Sequence, residues 1–203
     1  MSAPWVIKLG GSLTHSPYLD LWLEGLADCG VIIVPGGGPF ADQVRHVQQV
    51  RRFDEATAHA MALLAMAQYG LLLKGLCPRL QATDRLDHLL PLASTGQSVV
   101  WLPGLELLAC PDIPQNWSVT ADSLAAWLAG YLEIRNLLLV KSTGWPEPPL
   151  LSTLIRSGLI DPAFDRFTRG TTRSVWLATA CKPVQSGHCL NEPAQTLTRL
   201  HLA

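Results

Sequence analysis

Three short apolar runs, each followed by a glycine-rich or polar loop, constrain the fold of this chain more than any other feature. The runs cover residues 5–9, 31–34 and 136–140, and the loops that follow them cover 10–12, 35–38 and 141–144. Runs of four or five apolar residues bounded by turn residues are typical of strands buried on both faces. Such strands belong to parallel sheets that helices cover on both sides.

Helical periodicity between these runs indicates the same architecture. Helices are predicted over 19–27, 40–50, 55–69, 120–132 and 150–157, with Asp54 capping the third and Gly70 stopping it. Leu124, Trp127 and Leu128 should face inward. Strands are predicted over 99–102 and 175–178, with an edge strand within 196–202, whereas 77–98 has no strong period. We therefore predict a three-layer α/β/α sandwich with a mostly parallel central sheet, as a single domain over residues 1–203.

The composition fits a globular chain and argues against a general nucleic-acid binder. The 203 residues are 48% hydrophobic and 15% charged, and 15 basic against 16 acidic side chains leave a net charge of −1. Such a chain lacks the positive field that binds a phosphate backbone. Five cysteines, an odd number without a Cys-x-x-Cys pair, favour a reducing compartment. The first residues do not read as a signal peptide, so we expect a cytoplasmic protein.

One segment requires a comparison with membrane-spanning helices. Residues 56–73 carry no formal charge, and their length is near the lower limit for crossing a bilayer. The segment also contains Thr57, His59 and Gln68. We therefore expect a buried helix of a layered domain and no membrane partner.

The glycine loops are the first candidate binding sites. In an open α/β sheet, ligands bind beyond the carboxyl ends of the strands, where backbone N–H groups suit anions. One Gly-Gly pair is usually only a turn, but two glycine loops after successive strands favour phosphate. The sequence contains neither the P-loop pattern Gly-x₄-Gly-Lys-Ser/Thr nor the dinucleotide pattern Gly-x-Gly-x-x-Gly.

Three residues near these loops have both a structural and a functional interpretation. Lys8 ends an apolar strand, and no carboxylate partner for it is evident within residues 1–19. Its stem could carry the ammonium out to solvent, or its charge could neutralise a transferred phosphate, which its place before Gly10 favours. Thr120 or Asp122 could simply cap a helix. Asp122 could instead hold a lysine in place or lie near Mg²⁺.

Four motifs in this order resemble the amino acid kinase superfamily, which includes acetylglutamate, aspartate, uridylate and isopentenyl phosphate kinases. They are Lys8-Leu-Gly-Gly-Ser12, Pro35-Gly-Gly-Gly-Pro-Phe-Ala-Asp42, Thr120-Ala-Asp-Ser-Leu-Ala-Ala126 and Leu137-Leu-Leu-Val-Lys-Ser-Thr-Gly144. The resemblance covers residues 5–144. It implies an ATP-dependent, Mg²⁺-requiring small-molecule kinase that acts on a small anionic acceptor.

The resemblance also implies a role for each motif. Lys8 would stabilise the transferring phosphoryl group, Asp122 would organise the lysines, and Lys141 is counted with them as catalytic. The nucleotide would contact Gly10, Gly11, Ser12, Ser142, Thr143 and Gly144, and the acceptor would contact Gly36, Gly37, Gly38, His59 and Thr120. Mg²⁺ would arrive with ATP, and Asp122 is the one protein group considered for direct contact with it. The acceptor side would lie mainly in 1–118 and an abbreviated nucleotide side mainly in 119–203.

Several further residues could have a structural role instead of a functional one. His59 could be a core histidine instead of an acceptor ligand. Arg45, Arg51 and Arg52 are predicted to be a solvated helix end, although one of them could reach an acceptor phosphate. Cys181, His188 and Cys189 lie close in sequence, but without a fourth ligand they do not make a zinc site.

Within the superfamily, the chain looks most like the small kinases of methanofuran-type cofactor synthesis. The resemblance rests on residues 35–45, 59–69 and 158–164. It implies that the acceptor is a phosphomonoester, an (aminomethyl)furanmethyl phosphate, which is converted to a diphosphate for a one-carbon carrier. A carboxylate acceptor is the alternative within the same chemistry.

The chain also departs from its relatives. Many of them carry an acidic Asp-Val-Asp-Gly loop where this chain has residues 141–144. Many also have a later Gly-Gly-Met…Lys segment that supplies a second phosphate-binding lysine, and this sequence contains no match to that segment. A non-catalytic nucleotide or oxyanion binder on the same fold is therefore a competing hypothesis. A third, an interaction subunit, rests on seven tryptophans and low charge. A homodimer or higher homo-oligomer is expected.

Overall fold

A central sheet organises the chain, whose residues 4–184 and 188–202 are described by a computed structural model. The strands of this sheet are β1 Trp5–Leu9, β2 Ile32–Pro35, β3 Gln81–Thr83, β4 Val99–Trp101, β5 Asn136–Lys141, β6 Ser174–Thr179 and β7 Thr198–Arg199. Their order across the sheet is β3-β4-β2-β1-β5-β6-β7. Neighbours are parallel except β6 and β7, which pair antiparallel at one edge.

Helices connect these strands. They are α1 Leu19–Leu26, α2 Gly38–Arg51, α3 Glu55–Leu76, α4 Leu86–Ser94, α5 Ala121–Tyr131, α6 Leu151–Arg156, α7 Phe164–Thr168 and α8 His188–Asn191. Short 3₁₀ turns cover Gly11–His15, Leu105–Ala109 and Pro193–Gln195. Parallel neighbours require crossover connections, and the helices supply them.

Two hydrophobic cores lie on the two faces of the sheet, and the alternation of strand side chains decides which residue joins which core. In β1, Val6 packs into the core that α4, α5, α6 and α7 cover. Ile7 packs into the opposite core, together with the buried face of α1. Helix α3 contributes to both cores. The arrangement confirms the predicted three-layer sandwich.

Helix α3 is longer than its sequence pattern predicts. It continues through Gly70 to Leu76, although a glycine in this position was expected to end it. A Cβ on Gly70 would lie 2.6 Å from Leu102 Cδ2 and 3.3 Å from Pro35 Cγ. The glycine therefore allows the helix to approach the sheet closely, and Leu73, three residues later, is fully buried in the core.

By length and composition, α3 could cross a membrane, since its mean hydropathy is 1.4 over the most apolar window. The helix packs against α2 and against the sheet, and 44% of that window is buried within the molecule. Core helices pass the same test. The buried residues of α3 include Ala58, Leu63, Tyr69 and Leu73.

Two other details differ from the prediction. The segment without a clear period contains the short strand β3 and helix α4, which carries Pro91 inside it. Trp127 is half-buried and not fully inward, and its ring stacks on that of Trp101 at a centroid distance of 6.1 Å. All seven tryptophans are buried or half-buried, so they do not form an exposed interaction surface.

Candidate active site

Two lysines reach the same carboxylate because of the period of the strands that carry them. Lys8 follows Val6 by two residues in β1, and Lys141 follows Leu139 by two residues at the end of β5. Val6 and Leu139 both belong to the core beneath α5. Strand alternation therefore directs both lysines toward α5, whose first turn carries Asp122. Since β1 and β5 are adjacent parallel strands and Lys8 pairs with Leu139, Lys141 lies two residues beyond Lys8 toward the carboxyl edge on the same face of the sheet.

Asp122 forms an ion pair with each lysine. Lys8 Nζ lies 3.0 Å from Asp122 Oδ1, and Lys141 Nζ donates a hydrogen bond of 2.5 Å to Asp122 Oδ2. The exposed fractions of the three side chains are 12% for Lys8, 6% for Asp122 and 10% for Lys141. We call this group the lysine–aspartate cluster. It holds two positive charges and one negative charge at the carboxyl edge of the sheet.

Burial and neighbouring charges act on these groups in opposite directions. Burial alone would raise the pKa of Asp122, but the two ammonium groups outweigh it, so the pKa is lowered and the carboxylate stays ionised. Burial and the charge of Lys8 lower the pKa of Lys141, and Asp122 opposes this shift. The cluster thus keeps an excess of positive charge away from bulk water. In such a partly buried site the charge attracts an anion more strongly than it would in water.

Asp161 was not predicted as a site residue, and it holds the start of α5 in place. Its Oδ2 accepts hydrogen bonds of 2.9 Å from the backbone N–H groups of Thr120 and Ser123. Its Oδ1 accepts one of 2.6 Å from Thr120 Oγ1. Thr120 is the N-cap of α5 but makes no capping bond with its own side chain. A carboxylate distant in sequence therefore caps the helix in place of the Thr120 side chain, and capping rules that consider only neighbouring residues do not detect it.

The surroundings of Asp161 also connect it to the cluster. Burial, followed by the charge of Asp122, raises the pKa of Asp161, and its hydrogen bonds with Thr120 and Ser123 oppose the shift. The same segment supplies the carbonyl of Leu159, which accepts a 2.5 Å hydrogen bond from Lys141 Nζ. The only signal for this role in the sequence is that Asp161 lies within residues 158–164, one of the segments that carried the narrower family resemblance.

The two glycine loops pack backbone against backbone. A Cβ on Gly11 would lie 1.9 Å from the nitrogen of Gly38, and one on Gly36 would lie 2.2 Å from the nitrogen of Gly11. The nitrogen of Gly36 also donates a 2.8 Å hydrogen bond to the carbonyl of Leu9. Only glycine allows this approach, which brings the start of α2 next to Lys8.

A cavity of about 260 Å³ lies above these loops. Its lining contains Lys8, Gly10, Gly11, Ser12, Gly36, Gly37, Gly38, His59, Thr120, Arg45 and Trp117. We call it the loop cavity. It brings together every residue predicted to bind the acceptor, and it also contains Gly10 and Gly11, which were assigned to the nucleotide.

A second cavity of about 370 Å³ lies on the other side of the lysine–aspartate cluster. Its lining contains Lys8, Ser12, Thr120, Asp122, Lys141, Ser142, Thr143, Gly158, Leu159 and Asp161. We call it the β5 cavity. Gly144, predicted to be on the nucleotide side, lines neither of these two cavities. The two cavities share five lining residues, Lys8, Ser12, Arg45, Trp117 and Thr120, so two ligands bound in them would meet beside Lys8.

Helix α2 offers an open N-terminus to the loop cavity. No side chain within residues 4–184 and 188–202 caps it, and its first turn contains no acidic residue. The N-terminus of α5 differs, because Asp161 already accepts hydrogen bonds from two of its N–H groups, those of Thr120 and Ser123, and adds a negative charge there. Uncapped N–H groups and the helix dipole favour an anion. An external anion is therefore better accommodated at α2 than at α5.

Arg45 lies beside both cavities, although the sequence pattern placed it at a solvated helix end. It is exposed, and its guanidinium carbon lies 3.8 Å from the centre of the Trp117 ring. Trp117 in turn donates a 2.6 Å hydrogen bond from Nε1 to Gln48 Oε1. The stacked arginine adds a positive charge at the mouth shared by the cavities. Arg51 and Arg52 are also exposed and line neither cavity.

The carboxylates near the cluster are already occupied by protein donors. Both oxygens of Asp122 face lysines, and both oxygens of Asp161 accept hydrogen bonds. Within 4–184 and 188–202, no group of three or more His, Cys, Asp or Glu side chains could hold a metal ion. This donor set fits Mg²⁺ carried by nucleotide phosphates better than Mg²⁺ held directly by Asp122. The side chains of His188 and Cys189, considered for zinc, lie outside what the structure describes.

Sequence comparisons identify kinases as relatives of this chain. The family model described as the amino acid kinase family matches residues 3–144. The chain is 27% identical over 139 residues to an (aminomethyl)furanmethyl phosphate kinase of Methanocaldococcus jannaschii, and the match covers 66% of this chain and 63% of that kinase. It is 30% identical over 187 residues to an acetylglutamate kinase of Anaeromyxobacter dehalogenans, covering 68% and 69% of the two chains. The chain therefore spans less than two thirds of the first relative.

Solved structures share the fold over nearly the whole chain. A uridylate kinase from Archaeoglobus fulgidus superposes with a TM-score of 0.66 and 15% identity, covering 97% of both chains. A UMP kinase from Bacillus anthracis superposes with a TM-score of 0.69 and 15% identity, covering 98% of this chain and 94% of that one.

Proposed function

Because this chain belongs to the amino acid kinase family, we propose that it transfers a phosphoryl group from ATP to a small anionic acceptor. The observation that carries the proposal is the lysine–aspartate cluster between two cavities. Lys8 and Lys141 both contact Asp122, and their side chains are only 12% and 10% exposed. Transfer of a phosphoryl group requires mainly alignment of the reactants and neutralisation of charge. A buried group with excess positive charge between two binding cavities supplies both.

The β5 cavity is the better place for the nucleotide, and the loop cavity is the better place for the acceptor. In this arrangement Lys8, which lines both, faces the phosphoryl group during transfer. Asp122 keeps the two ammonium groups apart and oriented, which lets them act without reorganising at the moment of reaction. When bound with ATP, Mg²⁺ supplies further neutralisation of phosphate charge.

Lys141 is the candidate to replace the second phosphate-binding lysine of the family pattern, which this sequence lacks. It comes from the end of β5, where many relatives have an acidic loop, and it reaches the same carboxylate as Lys8. We propose that Lys141 takes over the charge neutralisation on the nucleotide side. Its position explains how a chain with a shortened nucleotide half could retain catalysis.

The preferred acceptor is a phosphomonoester that becomes a diphosphate, such as an (aminomethyl)furanmethyl phosphate of a methanofuran-type one-carbon carrier. The uncapped N-terminus of α2 and Arg45 beside the loop cavity support an anionic acceptor. The relative from Methanocaldococcus jannaschii supports this particular phosphate. A carboxylate acceptor is the second candidate, because an acetylglutamate kinase is 30% identical to this chain. We propose further that the protein is cytoplasmic and forms a homo-oligomer.

The test measures ADP release with MgATP and a panel that contains an (aminomethyl)furanmethyl phosphate, N-acetylglutamate and UMP. We expect turnover with at least one acceptor, and loss of turnover in Asp122→Asn, which leaves two buried ammonium groups without their counter-charge. If calorimetry detected ATP binding but no acceptor yielded ADP, the competing hypothesis of a non-catalytic nucleotide binder would be favoured.

A further inference from the structure

A third cavity lies beside the second half of α5, and its volume is about 370 Å³. Arg173, which lines it, directly precedes β6, so the cavity lies toward the amino edge of the sheet, opposite the lysine–aspartate cluster. None of its lining residues belongs to the loop cavity or the β5 cavity. We call it the arginine cavity, because Arg166 and Arg173 both line it. A ligand bound here would occupy a site of its own.

The guanidinium of Arg173 is half-buried and fixed on one side by the backbone. Its Nη1 donates hydrogen bonds of 3.1 Å to the carbonyl of Ala126 and 2.8 Å to the carbonyl of Phe167. The group also lies against Gly130, where a Cβ would be 3.0 Å from Nη2 and 3.4 Å from Cζ. Among the described residues, no hydrogen bond engages Nε or Nη2. The guanidinium is therefore held at the cavity with donors left for a ligand.

The charges around the arginine cavity are unbalanced. In the part of the chain that the structure describes, the arginines that form ion pairs are Arg79, Arg85 and Arg169, so neither arginine of the cavity has a carboxylate partner. Burial lowers the pKa of Arg173, but a guanidinium stays protonated in proteins. Asp112 also lines the cavity, and its exposure to water and salt weakens its repulsion of an anion. Two cations, one of them partly withdrawn from water, therefore favour an oxyanion.

Aromatic side chains form the rest of the wall. Trp127 and Tyr131 lie one turn apart in α5, and their rings stack at a centroid distance of 5.4 Å. Phe167 of α7 also lines the cavity, and it is half-buried, whereas Tyr131 is 58% exposed. Binding sites for organic molecules combine such apolar surfaces with a few polar groups that fix the orientation. This wall suits the apolar body of an organic anion and offers nothing to a hydrated inorganic ion.

We propose that the arginine cavity is a second ligand site, which binds a small organic anion with a flat apolar body. Its carboxylate or phosphate group contacts Arg166 and Arg173, and its body covers the aromatic wall. Carboxylates and phosphates share this chemistry, and the experiment separates them. The proposal does not depend on the proposed kinase function, because the site shares no residue with the candidate active site.

The experiment uses the indole N–H signals of the tryptophans in a proton–nitrogen NMR spectrum. Trp127→Phe identifies the signal that reports the arginine cavity, and Trp117→Phe identifies the one that reports the loop cavity. The probes are phenyl phosphate, phenylacetate, neutral phenylacetamide and inorganic phosphate. At least one of the two aromatic anions should shift the Trp127 signal and bind about 10-fold or more tightly than phenylacetamide, the scale for hydrogen bonds to a charged group. The tighter of the two anions identifies the preferred oxyanion.

Variants connect the binding to the two arginines. Arg173→Gln should weaken it about 10-fold or more. Because this change also removes the tie between α5 and α7, Arg166→Gln provides a second test. Arg166 is exposed, so its loss should leave the fold intact and weaken binding about 3-fold, as is typical of an exposed charge pair. Arg156→Gln is the control, since Arg156 is exposed and lines none of the three cavities.

Four results would overturn the proposal. They are a Trp127 signal that no probe shifts at millimolar concentration, equal affinity for phenylacetamide and both anions, affinity for inorganic phosphate as high as for phenyl phosphate, and unchanged affinity in both arginine variants. A shift confined to the Trp117 signal would place the anions in the loop cavity and would equally contradict a second site. The structural role of Arg173 would then be limited to tying α5 to α7.

Discussion

At the scale of single residues, the decisive feature is that Asp122 serves two lysines at once. The sequence offered no carboxylate near Lys8, and the fold supplies one from α5 at 3.0 Å. Asp122 was considered as a helix cap or a metal ligand, but the capping bonds at the start of α5 come from Asp161. In the structure Asp122 forms ion pairs with both lysines, and its role in organising them for catalysis stays a proposal.

We predict that Lys8→Met lowers kcat by about a hundredfold or more, the scale for removing a preorganised electrostatic contact. The variant keeps the aliphatic stem and leaves Asp122 paired with Lys141. It should therefore remain folded, which circular dichroism checks. Lys74→Met is the matched control, because Lys74 lies at the end of α3 and bonds the carbonyl of Pro78. A kcat for Lys8→Met within a few-fold of the control would remove Lys8 from the chemical step.

The pH dependence of kcat should reflect the ionisation of Lys141. Because burial and Lys8 lower its pKa, Lys141 should lose its proton below the ordinary value of 10.5. Loss of the proton removes the charge, so kcat should fall on the alkaline side at a lower pH than an exposed lysine would allow. Carbon-13 NMR of the lysine ε-methylene measures the titration directly. In Lys8→Met the titration should move to higher pH, and a Lys141 pKa of 10.5 or above in the wild type would contradict the prediction.

At the scale of elements, two helix N-termini at the same edge of the sheet have different roles. Helix α5 is capped by Asp161 from the α6–α7 connection, whereas α2 begins on a bare glycine loop. The first arrangement stabilises the element that carries Asp122, and the second leaves N–H groups available for a ligand.

We predict that Asp161→Ala lowers the free energy of unfolding by about 1–2 kcal/mol, the usual cost of a lost N-cap. Because α5 also positions Asp122, kcat should fall as well. Asp165→Ala is the control, since among the described residues the Asp165 side chain forms only an i,i+4 ion pair with the exposed Arg169, and such pairs contribute about 0.3–0.5 kcal/mol. Urea denaturation measures both variants. Equal stabilities would show that Asp161 is dispensable to α5.

The contact between the glycine loops allows a matched pair of substitutions. Gly11→Ala introduces a Cβ only 1.9 Å from the nitrogen of Gly38, so the loops must separate. We expect a loss of about 1–3 kcal/mol in stability and a weaker affinity for the acceptor. Gly144→Ala meets no atom within 4 Å and should be tolerated. If thermal unfolding and acceptor KM were the same for both variants, the close approach of the loops would not matter for function.

At the scale of the whole molecule, α3 combines a buried face with an exposed apolar one. The buried face joins the two cores, and the outer face leaves Met61, Leu64 and Leu71 exposed by 37%, 45% and 57%. These positions are separated by three and seven residues, so they lie along one side of the helix. An uncharged face of this kind is self-complementary, which is what a two-fold contact between identical chains requires.

We therefore predict a homodimer in which α3 of one copy packs against α3 of another. Leu64→Lys should shift the mass measured by light scattering after gel filtration from dimer to monomer, because two lysines would meet at the two-fold axis. Leu105→Lys introduces the same charge at a position that is 49% exposed outside α3, and it should leave the mass unchanged. A monomeric wild-type protein at micromolar concentration would contradict the prediction.

The sequence by itself determined the fold class and the family, and it predicted most of the residues that the structure places around the candidate site. Apolar strands alternating with helices indicated a layered parallel sheet, and four ordered motifs indicated the amino acid kinase family; both predictions are confirmed. These features are local: strand periodicity and glycine loops are encoded within a few neighbouring residues. The same periodicity implies that Lys8 and Lys141 share a face of the sheet.

Only the tertiary structure decided which groups meet. Asp161 reaches the start of α5 from 38 residues away, α3 continues past Gly70 because the sheet lies against it, and the ring of His59 becomes a buried group facing a cavity. The weakly patterned segment forms β3 and α4 where a few of its residues, Leu80, Leu89 and Ala93, pack into the two cores. Burial and long-range hydrogen bonds depend on the packing of distant segments, and no window of sequence contains that information.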